Sequence, residues 1–91
     1  MLKLVTTSKF IKDLKKLKKR GYDLNILEQV LDTLLKQKEL DTRYKDHALV
    51  GDYIGFRECH IKPDWLLIYM ISEERLILTA SRTGTHSDLF N

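Results

Sequence analysis

Apolar residues recur along this chain with two different periods, and the change of period divides it. Leu2 to Val5 is a short β-prone run, read as a first strand. Thr6-Thr7-Ser8 then offers an N-cap. Phe10, Leu14 and Leu17 recur at helical spacing, with Ile11 widening the stripe, and Gly21 supplies a residue for the helix C-terminus. Asp23 caps a second helix, whose apolar face carries Leu24, Leu27, Val30, Leu31, Leu34 and Leu35. The short link between them predicts an αα-hairpin. Lys36 to Gly55 is irregular and polar, and reads as a long loop with a turn bracketed by Gly51 and Gly55.

From Phe56 onward the period is that of strands. Phe56, Glu58 and His60 fall on one face of the first such run; Arg57, Cys59 and Ile61 fall on the other. Trp65 to Ile71 is nearly all apolar, as expected of a central strand covered by helices. Arg75 to Ser81 is the last strand, with Leu76, Leu78 and Ala80 on one face and Arg82 in the same parity. Ser87 to Phe90 reads as one helical turn. The order β-α-α-β-β-β predicts an α+β fold, a small antiparallel sheet with an N-terminal helical hairpin on one face. A tight turn at Glu73-Glu74 pairs Ser72 with Arg75 and, further back, Trp65 with Arg82. With a turn at Pro63-Asp64, this register gathers His60, Asp64, Trp65 and Arg82 at one end of three strands, with His86 just beyond.

A chain of 91 residues reads as one domain, residues 1–91, with a thin core and a shallow surface site. The single cysteine excludes an internal disulfide, and its parity makes it a buried thiol. No stretch reaches the length of a membrane span, and the start is too short and polar for a signal peptide. The reading is a cytoplasmic protein with no membrane partner. The net charge of +3 is modest, but residues 1–20 hold eight of the 16 Lys and Arg against one acid, Asp13. Lys12, Lys15, Lys16 and Lys19 lie largely off the apolar stripe. They form either a solvated helix face or a surface for an anionic partner such as a nucleic-acid backbone.

His47, His60, Asp64, Arg82 and His86 are the polar residues that folding leaves unexplained. None of their spacings is that of a compact metal motif, so no metal and no cofactor is expected. There is no glycine-rich phosphate loop and no nucleophile elbow. Asp64 is the one acid near the cluster, too few for a two-metal nuclease. The set fits acid–base chemistry on a ribose phosphodiester. Histidines can take the 2′-hydroxyl proton and return one to the 5′-oxygen. Arg82 can neutralise a phosphorane through forked donors. Trp65 and Phe90 can stack on bases and hold the linkage in line.

These residues also stand in recognisable motifs. Tyr44-Lys45-Asp46-His47, Gly55-Phe56-Arg57, the run from His60 to Tyr69 (HIKPDWLLIY) and the run from Arg82 to Phe90 (RTGTHSDLF) resemble toxins of the RelE/ParE superfamily, and most closely its YafQ-like branch. The resemblance runs from about residue 44 to the end; over the helices it is one of pattern and order. It implies a RelE-like fold and a ribosome-dependent mRNA endoribonuclease acting on mRNA and the ribosome, held in check by a cognate antitoxin. The family's functional positions fall on His47, His60, Asp64, Trp65, Arg82, His86 and Phe90, with the same residue types; Ala48 stands where relatives often carry proline. The lysine-rich first helix would suit ribosomal RNA. The competing readings are a non-enzymatic, ParE-like toxin that inhibits gyrase, which would not need histidines beside an arginine, and a basic nucleic-acid-binding module.

Overall fold

The computed structural model describes residues 1–90. Strand β1 (Lys3–Thr6) leads into helices α1 (Ser8–Lys19) and α2 (Leu24–Leu35); β2 (His47–Ala48), β3 (Arg57–Lys62), β4 (Trp65–Ser72) and β5 (Ile77–Gly84) follow, and α3 (His86–Phe90) comes last. The helix ends follow local chemistry. The Thr7 hydroxyl accepts from the Phe10 N–H, and the Asp23 carboxylate accepts from the Asn25 N–H. Gly21 takes φ of +84°, the left-handed step that stops α1. No helix among the described residues is long and apolar enough to cross a membrane.

The strands form one sheet in the order β1-β5-β4-β3-β2. Its neighbours run antiparallel except β1, which joins β5 in parallel. The α+β architecture with a helical hairpin on one face is therefore what forms. It gains a parallel edge strand and, within the segment read as loop, the two-residue strand β2, which pairs His47 with Glu58 and Ala48 with Arg57.

Helices α1 and α2 cover the face that carries Cys59, Ile61, Trp65, Leu67, Tyr69, Leu78 and Ala80. The larger aliphatic side chains among them, fully buried, contribute roughly 1.5–3 kcal/mol each. The α1 stripe is not widened by Ile11, which is 40% exposed; Asp13 takes the inward position at 6%. On the opposite face only Leu66, Ile68 and Leu89 form a buried cluster, with Leu49, Tyr53 and Phe56 against it.

The β4–β5 register departs from expectation in two ways that decide where the polar residues go. The connection is four residues, Glu73 to Leu76, so Ser72 pairs with Ile77 rather than Arg75. The Ser72 hydroxyl accepts from the Arg75 N–H, and Leu76 adopts φ of +55° to close the loop. Further along, Tyr69 pairs with Ala80 but Ile68 with Arg82, so Ser81 is an extra residue, a β-bulge. A one-residue shift exchanges the faces of everything beyond it. Arg82 thus leaves the parity of Leu78 and Ala80 and joins Ile68 on the face away from α1 and α2. Trp65, expected opposite Arg82, instead pairs with Lys62 on β3.

Candidate active site

Three strands lay polar residues across the less covered face in two rows. His47, Glu58, Ile68 and Arg82 are successive cross-strand partners from β2 to β5, and His60, Leu66 and Gly84 form the next row. Strand spacing puts Glu58 and Arg82 about 10 Å apart, two spacings. Just past Gly84, the first turn of α3 sets His86 beside His60, their ring centroids 5.9 Å apart. His47 lies on the other side of His60, at 6.3 Å. So His47, His60 and His86 stand in a row, with Phe90 6.4 Å from His86.

Each histidine is oriented by an acceptor at Nδ1. His86 Nδ1 donates to Asp64 Oδ1 at 2.7 Å, and the same oxygen accepts the His86 backbone N–H at 3.0 Å. These two bonds hold the Asp64 carboxyl below the usual carboxylate range. His60 Nδ1 lies 3.3 Å from the Pro63 carbonyl, and His47 Nδ1 lies 2.7 Å from the Lys45 carbonyl. A carbonyl only accepts, so both nitrogens carry the proton and both Nε2 atoms are left for chemistry or charge. Glu58 stands between those two Nε2 atoms, with Oε1 3.6 Å from each. It is buried to 6% exposure. The loop that delivers His47 is anchored one residue earlier, where Asp46 accepts from the Tyr69 hydroxyl and from Arg57.

Arg82 is held from outside the sheet. β1 ends at Thr6, opposite Ala80, which leaves the β5 edge open beyond it. α1 covers that edge. The Thr7 hydroxyl donates to the Ser81 carbonyl, and Asp13 accepts the Thr83 N–H at 3.1 Å. The same carboxylate accepts from Arg82 Nε at 2.7 Å and Nη2 at 3.1 Å. This pairing raises the Arg82 pKa further. It occupies one edge of the guanidinium and leaves Nη1 and the second Nη2 hydrogen for an anion.

The start of α3 is fixed as firmly. Thr85 and Asp88 exchange side-chain and backbone bonds in a capping-box pattern, and Arg20 donates to both Asp88 oxygens. The Arg20 bonds hold the Asp88 carboxyl well below its ordinary range. Gly84 has φ of +154°, and a Cβ there would come within 2.9 Å of Asp88 Oδ2.

Of the residues singled out in the sequence, the fold brings His47, His60, Asp64, His86 and Phe90 together and sets Arg82 on the same face. Phe90 is 46% exposed and meets Tyr53 edge-on, so one ring face stays available. Trp65 does not join them. It is 2% exposed on the helix side, edge-on to Tyr22 at 5.0 Å, and its Nε1 donates to Thr83 Oγ1. Its parity with Leu67 and Tyr69 puts it there, on the face away from the histidines, where it braces β5 at Thr83 next to Arg82. Lys12 and Lys16 line a hollow of about 340 Å³ beside Arg82, with Lys9. Lys15 and Lys19 are exposed on α1 outside that hollow.

The sequence reading passed over two carboxylates. Glu58 was legible through its shared parity with His60, and Asp13 as the lone acid within the stripe of Phe10, Leu14 and Leu17. Cys59 is buried on the helix side, and burial pushes its thiol up to about 12. Among the described residues no three His, Cys, Asp or Glu come together as a metal-ligand set.

Residues 2–91 match the model of a family described as bacterial toxin of type II toxin–antitoxin system, YafQ. The chain is 39% identical over 85 residues to the mRNA interferase toxin YafQ of Escherichia coli K12, covering 92% of this chain and 90% of that one. Among solved structures, a metal-bound toxin from Helicobacter pylori is similar at 48% identity and TM-score 0.93, over 99% of this chain and all of the other. The toxin of the E. coli DinJ–YafQ toxin–antitoxin complex is similar at 36% identity and TM-score 0.89, over 99% and 98% of the two chains. With agreement spanning both helices and the whole row of histidines, this chain belongs to the YafQ family of bacterial type II toxin–antitoxin toxins.

Proposed function

We propose that this chain is a ribosome-dependent mRNA endoribonuclease that cuts without a metal, by attack of a 2′-hydroxyl on the adjacent phosphate. The observation that carries the reading is the His60–His86 pair: two imidazoles with centroids 5.9 Å apart, His86 locked by Asp64. One ring removes the 2′-hydroxyl proton as the O2′–P bond forms. The other protonates the 5′-oxygen as the P–O5′ bond breaks. The products are a 2′,3′-cyclic phosphate and a 5′-hydroxyl. Each transfer contributes typically about 10²–10⁴-fold. Arg82, steadied by Asp13, meets the charge that builds on the phosphorane through its free Nη hydrogens. Phe90 stacks on a base beside the scissile linkage. His47 shares Glu58 with His60 and assists by contacting phosphate or tuning its neighbour.

The exposed cations of α1, including Lys12, Lys15, Lys16 and Lys19, would meet ribosomal RNA, and the protein would work in the cytoplasm where ribosomes are. The E. coli relative is known in complex with its antitoxin. By analogy, an antitoxin with an acidic or amphipathic segment would cover the row of histidines and its basic surroundings.

The test is end-group analysis of a reporter mRNA cut in a reconstituted translation system, with and without a chelator selective for transition metals that leaves the Mg²⁺ ribosomes need. Cyclic phosphate ends that persist in chelator are expected. Ends carrying a 3′-hydroxyl would end the 2′-hydroxyl mechanism. Loss of cutting on chelation would hand the histidines to a metal, as the metal-bound H. pylori relative makes worth checking. Intact mRNA with altered DNA supercoiling would favour the gyrase reading.

A further inference from the structure

β2 pairs with β3 only at Arg57 and Glu58, so among the described residues no strand pairs with the outer edge of β3 from His60 to Lys62, where the turn Thr42–Tyr44 packs instead. At that edge, beside the row of histidines, lies a depression. It holds about 600 Å³ between α2, the 43–45 loop and the Lys62-Pro63 turn. His60 stands at the junction: it lines the depression while its ring faces His86. Arg43, Lys45 and Lys62 bring three cations to this wall, and no carboxylate lines it. The neighbouring hollows contrast with it. One carries Glu39, Asp41 and Asp46 against Lys45, another Glu39, Asp46 and Glu73 against Lys38 and Arg57, so acids outnumber cations in both. Arg43 also sits over the Tyr44 ring, its guanidinium carbon 4.9 Å from the ring centroid, and donates to the Tyr44 hydroxyl. That joins a guanidinium and an aromatic ring, the two kinds of group on which bases stack, in one platform.

We propose that this groove is a second RNA subsite, which takes the single-stranded segment leading away from the scissile phosphate. Lys45 and Lys62 bind its phosphates, and the Arg43–Tyr44 platform receives a base. The inference rests on the nuclease reading and extends it, because the groove has no purpose for a strand that ends at His60. A strand that crosses the row of histidines must leave it. The β3 edge is the exit whose walls carry cations and no acids, and backbone charge supplies most of the affinity in such binding.

The experiment measures binding of the full chain to a short single-stranded RNA with 2′-O-methyl riboses, which cannot be cut, across a salt series. One variant combines Arg43→Gln, Lys45→Gln and Lys62→Gln. A control combines Lys3→Gln, Lys36→Gln and Lys38→Gln, which remove the same charge outside the groove. At about 0.7 per phosphate contact on a single strand, loss of the two lysine contacts in the groove variant should lower the slope of log K against log salt by about 1.4. It should weaken binding roughly tenfold or more at moderate salt, with the control close to wild type. An unchanged slope, or an equal fall in the control, overturns the proposal. So does a groove variant that keeps its RNA affinity but loses an acidic antitoxin peptide, which would assign the groove to protein. A wild type that cuts mRNA alongside a groove variant that cuts and binds equally well removes the groove alone. A wild type that neither binds the probe nor cuts mRNA removes the nuclease reading.

Discussion

On the helix-covered face of the sheet, Trp65, Leu67, Tyr69, Leu78 and Ala80 are sealed against α1 and α2. On the opposite face the buried cluster among the described residues is Leu66, Ile68 and Leu89, with Leu49, Tyr53 and Phe56 partly buried against it and the histidines, Glu58 and Arg82 beside them. The same strands supply both. The difference teaches how so short a chain holds a reactive surface: apolar contacts are concentrated on one side, and the other is left to hydrogen bonds that aim side chains. Every orienting contact of the three histidines is a hydrogen bond or a carboxylate at 3.6 Å. The positions on that side can therefore change chemistry with little change in stability, and positions on the helix side the reverse.

Substitution can break this contrast. The largest effect is expected from His86→Ala, which should slow cleavage by about 10²–10⁴-fold. Its urea midpoint should stay near wild type, because the side chain is exposed. A folded His86→Ala protein that still cuts mRNA would remove His86 from the chemistry. Trp65→Ala should do the opposite and cost about 3–5 kcal/mol in urea unfolding. Trp65→Phe, which refills most of the space, should cut at close to the wild-type rate. A stable Trp65→Phe protein without activity would put the indole back against the substrate.

Asp13 sharpens the contrast because it serves both sides from the β5 edge. Asp13→Asn should lower single-turnover cleavage by about a hundredfold through misplacement of Arg82, with KM little changed. In an Arg82→Lys background the same change should cost far less, since it acts through that guanidinium. Equal losses in both backgrounds would make Asp13 structural only.

The smallest expected effect is on acid stability. Asp88 has its folded pKa depressed, chiefly by the Arg20 bonds. A depressed carboxylate binds fewer protons folded than unfolded. Its contribution is therefore complete above the unfolded value, about 4, and disappears as pH falls through the folded one. The stability gap between wild type and Asp88→Asn should be widest near neutrality and narrow below about pH 4. A gap that stays constant down that limb would separate Asp88 from Arg20.

Much of the helix-covered face was legible in the sequence, because periodicity reports burial. The caps at Thr7 and Asp23, the stop at Gly21 and the parity of Glu58 with His60 all stand as read. What escaped was register. Leu76 takes a left-handed turn position without being glycine or asparagine, so nothing marked the longer connection. Ser81 is small and polar, and a bulged residue leaves no pattern of its own. The longer connection moved the pairing by two residues and kept its parity; the bulge alone put Arg82 and Trp65 on opposite faces. His47 carried no local signal either; its place depends on a two-residue strand fixed by Asp46, Arg57 and Tyr69 from elsewhere in the chain.

The bulge at Ser81 also has a genetic consequence. Substituting that residue leaves the residue count of β5 intact, so Arg82 still emerges beside Ile68. Deleting its codon would join Ala80 directly to Arg82 in a continuous ladder, and Arg82 would still lie opposite Ile68 on the same face. What an in-frame loss of three nucleotides there removes is the carbonyl that accepts from the Thr7 hydroxyl, so the deletion should loosen the hold of α1 on the β5 edge without turning the guanidinium into the core.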